Sequence, residues 1–342
     1  MNKYIISMYD KSQNEAGPKA KTDIVHFLEK SAFKGIEFYF NGGRKAELLS
    51  FKQVIWDIPH RLNKLTPGVV LFQYPAFNAR TNTKIVQTVR KNKGAKLFYI
   101  LHDVESLRHR HDDVEFLKDE INFFNQSDGL IVHNDKMLTW LKEKGVTRPM
   151  VSLQLFDYDN PQPLLSSRPF ERTLCFAGNL KKSTFLSKLQ LKHRLELFGP
   201  NQCDNYRGNI HYRGSFTPEF LPCKLTQNFG LIWDGGSLKT CDDKFGSYLR
   251  YNDPHKASLY LSSGLPVIIW EKAALAGFVK KHRLGILIAD LHDLDGVLEQ
   301  ISESQYQELC INVERVAHKL RSGYFIRNAW NSLLEKEQES LK

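Results

Sequence analysis

Residues 227–270 carry the densest chemistry in the sequence, QNFGLIWDGGSLKTCDDKFGSYLRYNDPHKASLYLSSGLPVIIW. Two short apolar runs, FGLIW and LPVIIW, have the Ile and Trp content and the Gly or Pro borders of buried strands in a parallel sheet. Trp233 and Asp234 close the first run, and the polar loop after it leads to Arg250, Tyr251, Asn252 and Lys256. The pattern predicts a helix starting near Pro254 and stopping at Gly264, with Asn252 or Asp253 as its cap and the proline in its first turn. The free N–H groups and dipole of such a start favour a phosphate, and Lys256 and Arg250 add full positive charge. A strand end, a Gly- and acid-rich loop and a cationic helix start together describe a nucleotide-diphosphate site at the carboxyl edge of an α/β sheet. Taken singly, Lys256 also reads as a solvated first-turn lysine and Tyr251 as a packing residue.

Other strand ends place further groups. Four apolar residues lead into His102, Asp103, Val104 and Glu105, which puts ionisable groups at the carboxyl end of a central strand. A carboxylate or imidazole there can serve as a general base, and a structural His-Asp pair would read the same. Gly178 and Asn179, in AGNL, end another strand where backbone can approach a ligand closely, although most such turns are only turns. Lys181 and Lys182 follow at the start of the next element. Tyr74-Pro75 ends a third apolar run and is, with Asp10 after the first strand, a candidate acceptor contact. Asp10 and Lys11 follow the first strand, and the loop after them holds Gly17, Lys19 and Lys21, by itself an exposed basic loop.

Two patterns imitate metal sites. Asp157-Tyr158-Asp159 matches the acidic triplet that holds a divalent ion in some transferases, but it falls between two regular regions and is read as linker. His109, His111, Asp112 and Asp113 lie one apart before a helix, the position of solvated capping residues. The five cysteines form no CxxC pair, so neither a zinc site nor a disulfide framework is expected. No metal or cofactor is expected.

These groups require a scaffold of alternating strands and helices. Strands are predicted at KYIISMY, GIEFYF, GVVLFQYP, AKLFYILHD and DGLIVH, with helices around Ile24 to Ser31, through TNTKIVQTVRKNKG, from Asp113 to Asn125 and at NDKMLTWLKEKG. The stretch DKSQNEAGPKAKTD is read as the first loop. The segment FDYDNPQPLLSSRPF then reads as a linker. Alternation resumes with TLCFAGN, a helix-like basic stretch KSTFLSKLQLKH, RLELFGP, NIHYRGS, FGLIW, LPVIIW and GILIAD, followed by a helix at NVERVAHKLRSG. This βαβ order predicts α/β domains with parallel sheets and right-handed crossovers. The boundaries are 1–155 for the first domain, 156–170 for the linker, 171–323 for the second domain and 324–342 for a terminal helix with Phe325, Ala329, Leu333 and Leu334 on one face.

The run from Phe229 to Phe278 resembles the C-terminal half of bacterial β-1,6-galactofuranosyltransferases of O-antigen synthesis. It is more distantly similar to the glucosyltransferases that extend GlcNAc on streptococcal adhesins. Both are GT-B enzymes, so the resemblance implies two Rossmann-like domains facing across a cleft, the first for the acceptor and the second for the nucleotide sugar. It also implies a last helix crossing back to the N-terminal domain; a terminal helix on its own domain is the alternative. It gives Gly178 and Asn179 a place facing the donor, Phe198 and Tyr212 a place near uracil, and Gly17 and Lys19 a place near the leaving diphosphate. Transfer from an α-linked donor to a β product inverts the anomeric carbon and needs one base, for which Asp103 is the first choice and His102 the second. Around Arg250 to Lys256 the sequence departs from the glucosyltransferases, which favours UDP-galactofuranose over a glucosyl donor.

A net charge of +10 admits nucleic acid, anionic membrane or phosphorylated substrates as partners. No nucleic-acid motif is found and the aromatic residues fall in strands, which disfavours nucleic acid. The basic stretches at Arg90 to Lys96, Lys181 to Arg194 and Lys280 to Arg283 would suit an acceptor linked to undecaprenyl diphosphate at an anionic membrane, or are solvated helix faces. A polar N-terminus and no long apolar run suggest a cytoplasmic protein. A catalytically silent UDP-sugar-binding subunit is the competing reading, and self-association is left open.

Overall fold

The computed structural model describes residues 1–10, 16–40, 52–76, 78–164, 168–203 and 205–340. They form two compact units, one of residues 1–153 and 325–342, the other of residues 154–324.

In the first unit β1 (Asn2–Asp10), α1 (Ala16–Glu29) and β2 (Phe33–Phe40) open the chain. A π-helical turn leads into α2 (Ile58–Leu62), then β3 (Gly68–Tyr74), α3 (Ala79–Arg90) and β4 (Ala95–Leu101). The short α4 (Glu105–Arg108), α5 (Val114–Phe124), β5 (Gly129–Val132), α6 (Asp135–Glu143) and β6 (Met150–Ser152) follow. The strands pair in parallel in the order β2-β1-β3-β4-β5-β6. Every residue of β3 is buried, the mark of a strand covered on both faces. Chain order reverses at β1, so the crevice in which such sheets bind ligands lies outside the carboxyl ends of β1 and β3.

The second unit contains β7 (Leu174–Ala177), β8 (Leu195–Phe198), β9 (Ile210–Gly214) and β10 (Phe229–Ile232). Then come α7 (His255–Ser262), β11 (Val267–Trp270), α8 (Ala276–His282), β12 (Gly285–Ile288), α9 (Leu294–Gln300) and α10 (Glu303–Arg321). The parallel order β12-β11-β10-β7-β8-β9 is the doubly wound arrangement, with its switch point between β7 and β10.

The final helix α11 (Tyr324–Glu339) packs on the first sheet. Trp330 meets Phe33 and Phe98 edge-on at 5.1 and 5.3 Å. Leu333 covers Gly129, where a Cβ would come within 2.9 Å of its methyl group. Lys96 Nζ lies 2.8 Å from Glu337, and Lys336 donates to the Met150 carbonyl. The buried face carries Phe325, Ile326, Ala329, Trp330 and Leu333, with the half-buried Leu334 at its edge.

Two local expectations fail. The helix α1 begins at Ala16, so Lys19 and Lys21 sit on its first turns instead of in a loop. The stretch KSTFLSKLQLKH forms only short 3-10 turns, because Phe185 N–H donates to Gly235 O and Phe185, Leu186, Leu189 and Leu191 are drawn individually into the core. The start of the segment read as linker is packed against the second unit. Phe156, Asp157 and Tyr158 are buried, and Asn160 donates to Ser262 and Ser263.

Candidate active site

In the second unit the strand-end residues gather around the switch point between β7 and β10. Lys256, in the first turn of α7, reaches back to the sheet edge. Its Nζ is 2.6 Å from Asp234 Oδ1, 3.4 Å from the Trp233 carbonyl and 4.5 Å from the centre of the Phe176 ring of β7. The helix is fixed behind it by Tyr260, whose hydroxyl accepts the Ala177 N–H at 2.6 Å and whose ring lies against Gly230. Burial pushes the Tyr260 phenol well above its ordinary range, so it remains a neutral hydroxyl. The N-cap position of α7 falls one residue past Asp253. Pro254 occupies the N-cap with extended backbone and supplies no side-chain acceptor. Asn252 Oδ1 is enclosed without a hydrogen-bond partner among the described residues.

The loop after β10 is organised by Asp243. Its carboxylate accepts from the backbone N–H groups of Gly236, Phe245 and Gly246, the last at 2.8 Å. Gly235 adopts φ +96°, and a Cβ there would overlap the same carboxylate. The ends of β7, β8 and β9 descend as a glycine ladder: Gly178 N–H donates to Phe198 O and Gly199 N–H to Gly214 O, at 3.0 and 2.9 Å. A Cβ on Gly199 would overlap the Gly178 carbonyl, whereas one on Gly178 would meet, among the described residues, only the Phe176 ring at 3.8 Å. The close approach that requires glycine is therefore strand to strand at Gly199, and the space beside Gly178 is open. Asn179 caps the following turn through Lys181 N–H and also accepts from Asn201.

Several expected donor contacts are committed elsewhere. Trp233 is fully buried, with its indole N–H on the Ser237 carbonyl, so only its backbone faces Lys256. Phe198 is 2 % exposed and offers no stacking face. Tyr212 donates to Gly199 O. Arg250 forms a two-pronged pair with Asp242 at 2.5 and 2.7 Å and lies over the Trp270 ring at 4.8 Å. That pairing raises the guanidinium and lowers the Asp242 carboxyl. Tyr251 stays half-buried beside this pair. The sequence could not show that Arg250 and Lys256 have separate carboxylates.

In the first unit a second cluster forms at the ends of β3 and β4. His102 N–H donates to the Tyr74 carbonyl at 2.7 Å, His102 Nε2 lies 2.8 Å from Gln73 Oε1, and the His102 carbonyl accepts from His133 Nε2 at 3.0 Å. Burial pulls His133 down to about 4, so it is a neutral donor. Asp103 Oδ2 accepts from Arg108 at 2.8 Å. The turn is held further by Glu120, buried on α5, which accepts from Glu105 N–H and Ser106 N–H at 3.0 Å and from the Tyr74 hydroxyl at 2.9 Å. Tyr74 is therefore interior, 5 % exposed with its hydroxyl occupied, and holds the turn; it is not placed to touch an acceptor.

Lys21, from α1, brings a cation to this cluster by donating to the Pro75 carbonyl at 2.6 Å. Burial lowers its ammonium to about 8, with the charge of Asp103 acting in the opposite sense. Lys19 instead forms a buried pair with Asp23 at 2.5 Å, one turn along the helix. Lys11 lies outside the described residues, as do the side-chain surroundings of Asp10 and Gly17. Gln73, Glu120 and His133 were missed from sequence. Only Gln73 left a signal, a lone amide inside the apolar run GVVLFQY.

Among the described residues no three His, Cys, Asp or Glu side chains are grouped to hold a metal, and Asp113 caps α5 by accepting from Phe116 N–H. No helix among them is long and apolar enough to cross a membrane.

Two domain models match in succession: the N-terminal domain of glucosyltransferase 3-like proteins over residues 2–155 and their C-terminal domain over 174–333. The β-1,6-galactofuranosyltransferase WbbI of Escherichia coli (strain K12) is 26% identical over 97% of this chain and 98% of its own. Glucosyltransferase 3 of Streptococcus gordonii is 26% identical over 94% and 95%. Among solved structures, an alpha-glucosyltransferase in complex with UDP and a 13-mer DNA containing a HMU base superposes with a TM-score of 0.63 at 11% identity, covering 99% of this chain and all of that one. With both domain models matched in order on two parallel, doubly wound sheets, the chain belongs to the glucosyltransferase 3-like family of glycosyltransferases and has the GT-B fold.

Proposed function

We propose that this protein transfers galactofuranose from UDP-galactofuranose, with inversion, to a saccharide acceptor in surface-polysaccharide synthesis. The observation that carries the donor reading is Lys256 at the switch point of the second unit, in the first turn of α7, against Asp234 and the Phe176 ring. A cation at a helix start suits the diphosphate of a UDP-sugar, and it stabilises the charge that develops as UDP leaves. The second unit is read as the donor domain and the first as the acceptor domain. In the first unit Asp103 or His102 removes the proton of the acceptor hydroxyl. Its oxygen then bonds to the anomeric carbon while the bond to UDP breaks on the opposite face. No metal is assigned to the step, since Lys256 and the helix start supply the positive charge.

A glucosyl donor is the second reading, favoured by the Streptococcus gordonii relative, which is as similar as the galactofuranosyltransferase. An acceptor carried on a lipid diphosphate would suit the basic surface stretches. The test is incubation of the purified protein with a panel of UDP-sugars and synthetic lipid-linked acceptors, with and without EDTA, following UDP release and product mass. Release from UDP-galactofuranose alone, unchanged by EDTA, is expected. Release from UDP-glucose alone selects the second reading, and loss of activity in EDTA overturns the metal-free step.

A further inference from the structure

Of the three basic stretches, two have their outer cations paired. Arg90 lies 2.9 Å from Asp128 and Lys96 2.8 Å from Glu337, while Lys192 meets Glu299 and Arg194 meets Glu171 and Glu196. The third, Lys280 to Arg283 at the end of α8, faces a second basic row on α10 across an open groove of about 460 Å³. Lys281, His282 and Arg283 line one wall, and Arg315 and Lys319 line the other. Among the described residues Glu308 is the one carboxylate that lines the groove, and Arg283 holds it at 2.7 Å.

No carboxylate of the described residues pairs with Lys281, Arg315 or Lys319, and Arg315 donates to the neutral Asn312 Oδ1 at 3.3 Å. Burial, with the charges of Lys281 and Lys319 acting in the same sense, pulls the His282 imidazole below its ordinary value, so both ammonium charges reach the groove. The dipole of α8 accounts for a cation in its last turn. Arg315 stands six residues before the end of α10, beyond the reach of that helix's own dipole. An uncompensated cluster of one sign opposes folding by self-repulsion, and an anion in the groove relieves it.

The shape of the groove selects the anion. Every polar side chain that lines it is exposed or half-buried, so none builds a closed cage for one small ion. Ile311, 52% exposed, stands one turn before Arg315 on the same face of α10, and Tyr324, 38% exposed, lies 4.9 Å from Lys319 Nζ at the other end. The row from Ile311 to Lys319 is about 12 Å long. A basic row bracketed by an apolar and an aromatic side chain fits the headgroup level of an anionic bilayer, where phosphates meet the cations and the flanking side chains reach the acyl boundary. We infer that the α8–α10 groove is the surface by which this protein docks on an anionic phospholipid membrane, with headgroup phosphates held between Lys281, Arg315 and Lys319. Docking of this kind does not depend on the identity of the transferred sugar.

Co-sedimentation of the full chain with lipid vesicles is the test. Vesicles of phosphatidylcholine and phosphatidylglycerol in equal parts should bind the protein, vesicles of phosphatidylcholine alone should not, and binding should fade as salt is raised. Each basic residue near such a surface is worth about fivefold in partition, so Lys281→Gln, Arg315→Gln and Lys319→Gln together should weaken it about 100-fold. Arg315→Gln alone, with a loss of about fivefold, takes the place of the triple variant if that does not fold. Lys91→Gln with Lys93→Gln, on the first unit, should bind as the wild type does. No binding of the wild type to the mixed vesicles, equal binding by the folded triple variant, or an equal loss in the Lys91 and Lys93 variant overturns the proposal. So does release of the bound protein when inorganic phosphate replaces chloride at fixed ionic strength, which would make a free phosphate the occupant. Binding is read without turnover, so a wild-type protein that turns over no UDP-sugar defeats the donor reading and leaves the vesicle result standing.

Discussion

The Lys256 ammonium sits 2.6 Å from Asp234 Oδ1 and 4.5 Å from the Phe176 ring centre, so one side chain from the start of α7 ties the ends of β10 and β7 together. Its side chain is only 13% exposed, and the partner carboxylate 25%. A lysine placed by packing on this scale loses little further freedom when it meets a phosphate.

Replacing Lys256 with alanine should therefore cost binding more than folding. Loss of one charge-assisted contact to diphosphate is worth about 1.5–3 kcal/mol, or roughly 10- to 100-fold in the dissociation constant for UDP. Asp234 is exposed enough to be solvated when its partner is removed, so the melting temperature should move little. Calorimetric titration with UDP measures the effect; unchanged affinity in a folded Lys256→Ala protein removes Lys256 from the site.

Gly230 and Gly277 predict opposite signs for the same substitution. A Cβ at Gly230 would overlap the Tyr260 ring, which is held by its hydroxyl to Ala177 N–H, whereas none of the described residues lies within 4 Å of a Cβ at Gly277 on α8. Gly230→Ala should destabilise by about 1–3 kcal/mol. Gly277→Ala should stabilise by about 0.5–1 kcal/mol through helix entropy. Denaturant melts of the two variants check the pair. Equal and small effects would mean that Tyr260 swings aside at little cost.

The strand ends were legible because an apolar run bordered by Gly or Pro announces where a buried strand stops, and in a doubly wound sheet that is where ligands bind. This placed Asp103, Gly178, Asp234 and Lys256 at the correct edges. Pairing was not legible. Tyr74 finds Glu120 46 residues away and Gln73 finds His102 29 away, separations that no local pattern encodes. The same limit hid the commitment of Arg250 to Asp242. The early start of α1 was missed because the Gly17-Pro18 pair reads as a loop, although proline is well tolerated in a helix's first turn. On α11, Leu334 was placed on the buried face and Trp330 was not, because neighbouring apolar residues leave the helical phase ambiguous until the packing partner is known.

That phase has an energetic consequence. Trp330 is 2% exposed between Phe33 and Phe98, while Leu334 lies at the edge of the face. Trp330→Ala should destabilise by about 3–5 kcal/mol, and Leu334→Ala by clearly less. Chemical denaturation should show the larger loss in Trp330→Ala. If Leu334→Ala costs as much, the helix is rotated from the face described.

His133 should make stability fall on mild acidification. Its pKa drops from 6.5 to about 4 on folding because burial disfavours the charged ring. Between these values the unfolded chain binds a proton that the folded chain does not, so unfolding is favoured increasingly as pH falls from 6.5 towards 4. Above 6.5 both states are neutral and the effect vanishes; below 4 both are charged and the full penalty, about 3 kcal/mol, is present. The imidazole also donates to the His102 carbonyl, so a replacement must keep a donor for the comparison to isolate titration. His133→Gln offers an amide N–H and no proton equilibrium in this range. The wild type should lose stability relative to His133→Gln as pH is lowered from 7 to 5. Parallel pH profiles for the two proteins would show that His133 is protonated in the folded state, and with it that the turn carrying His102 and Asp103 is more open to water than its burial indicates.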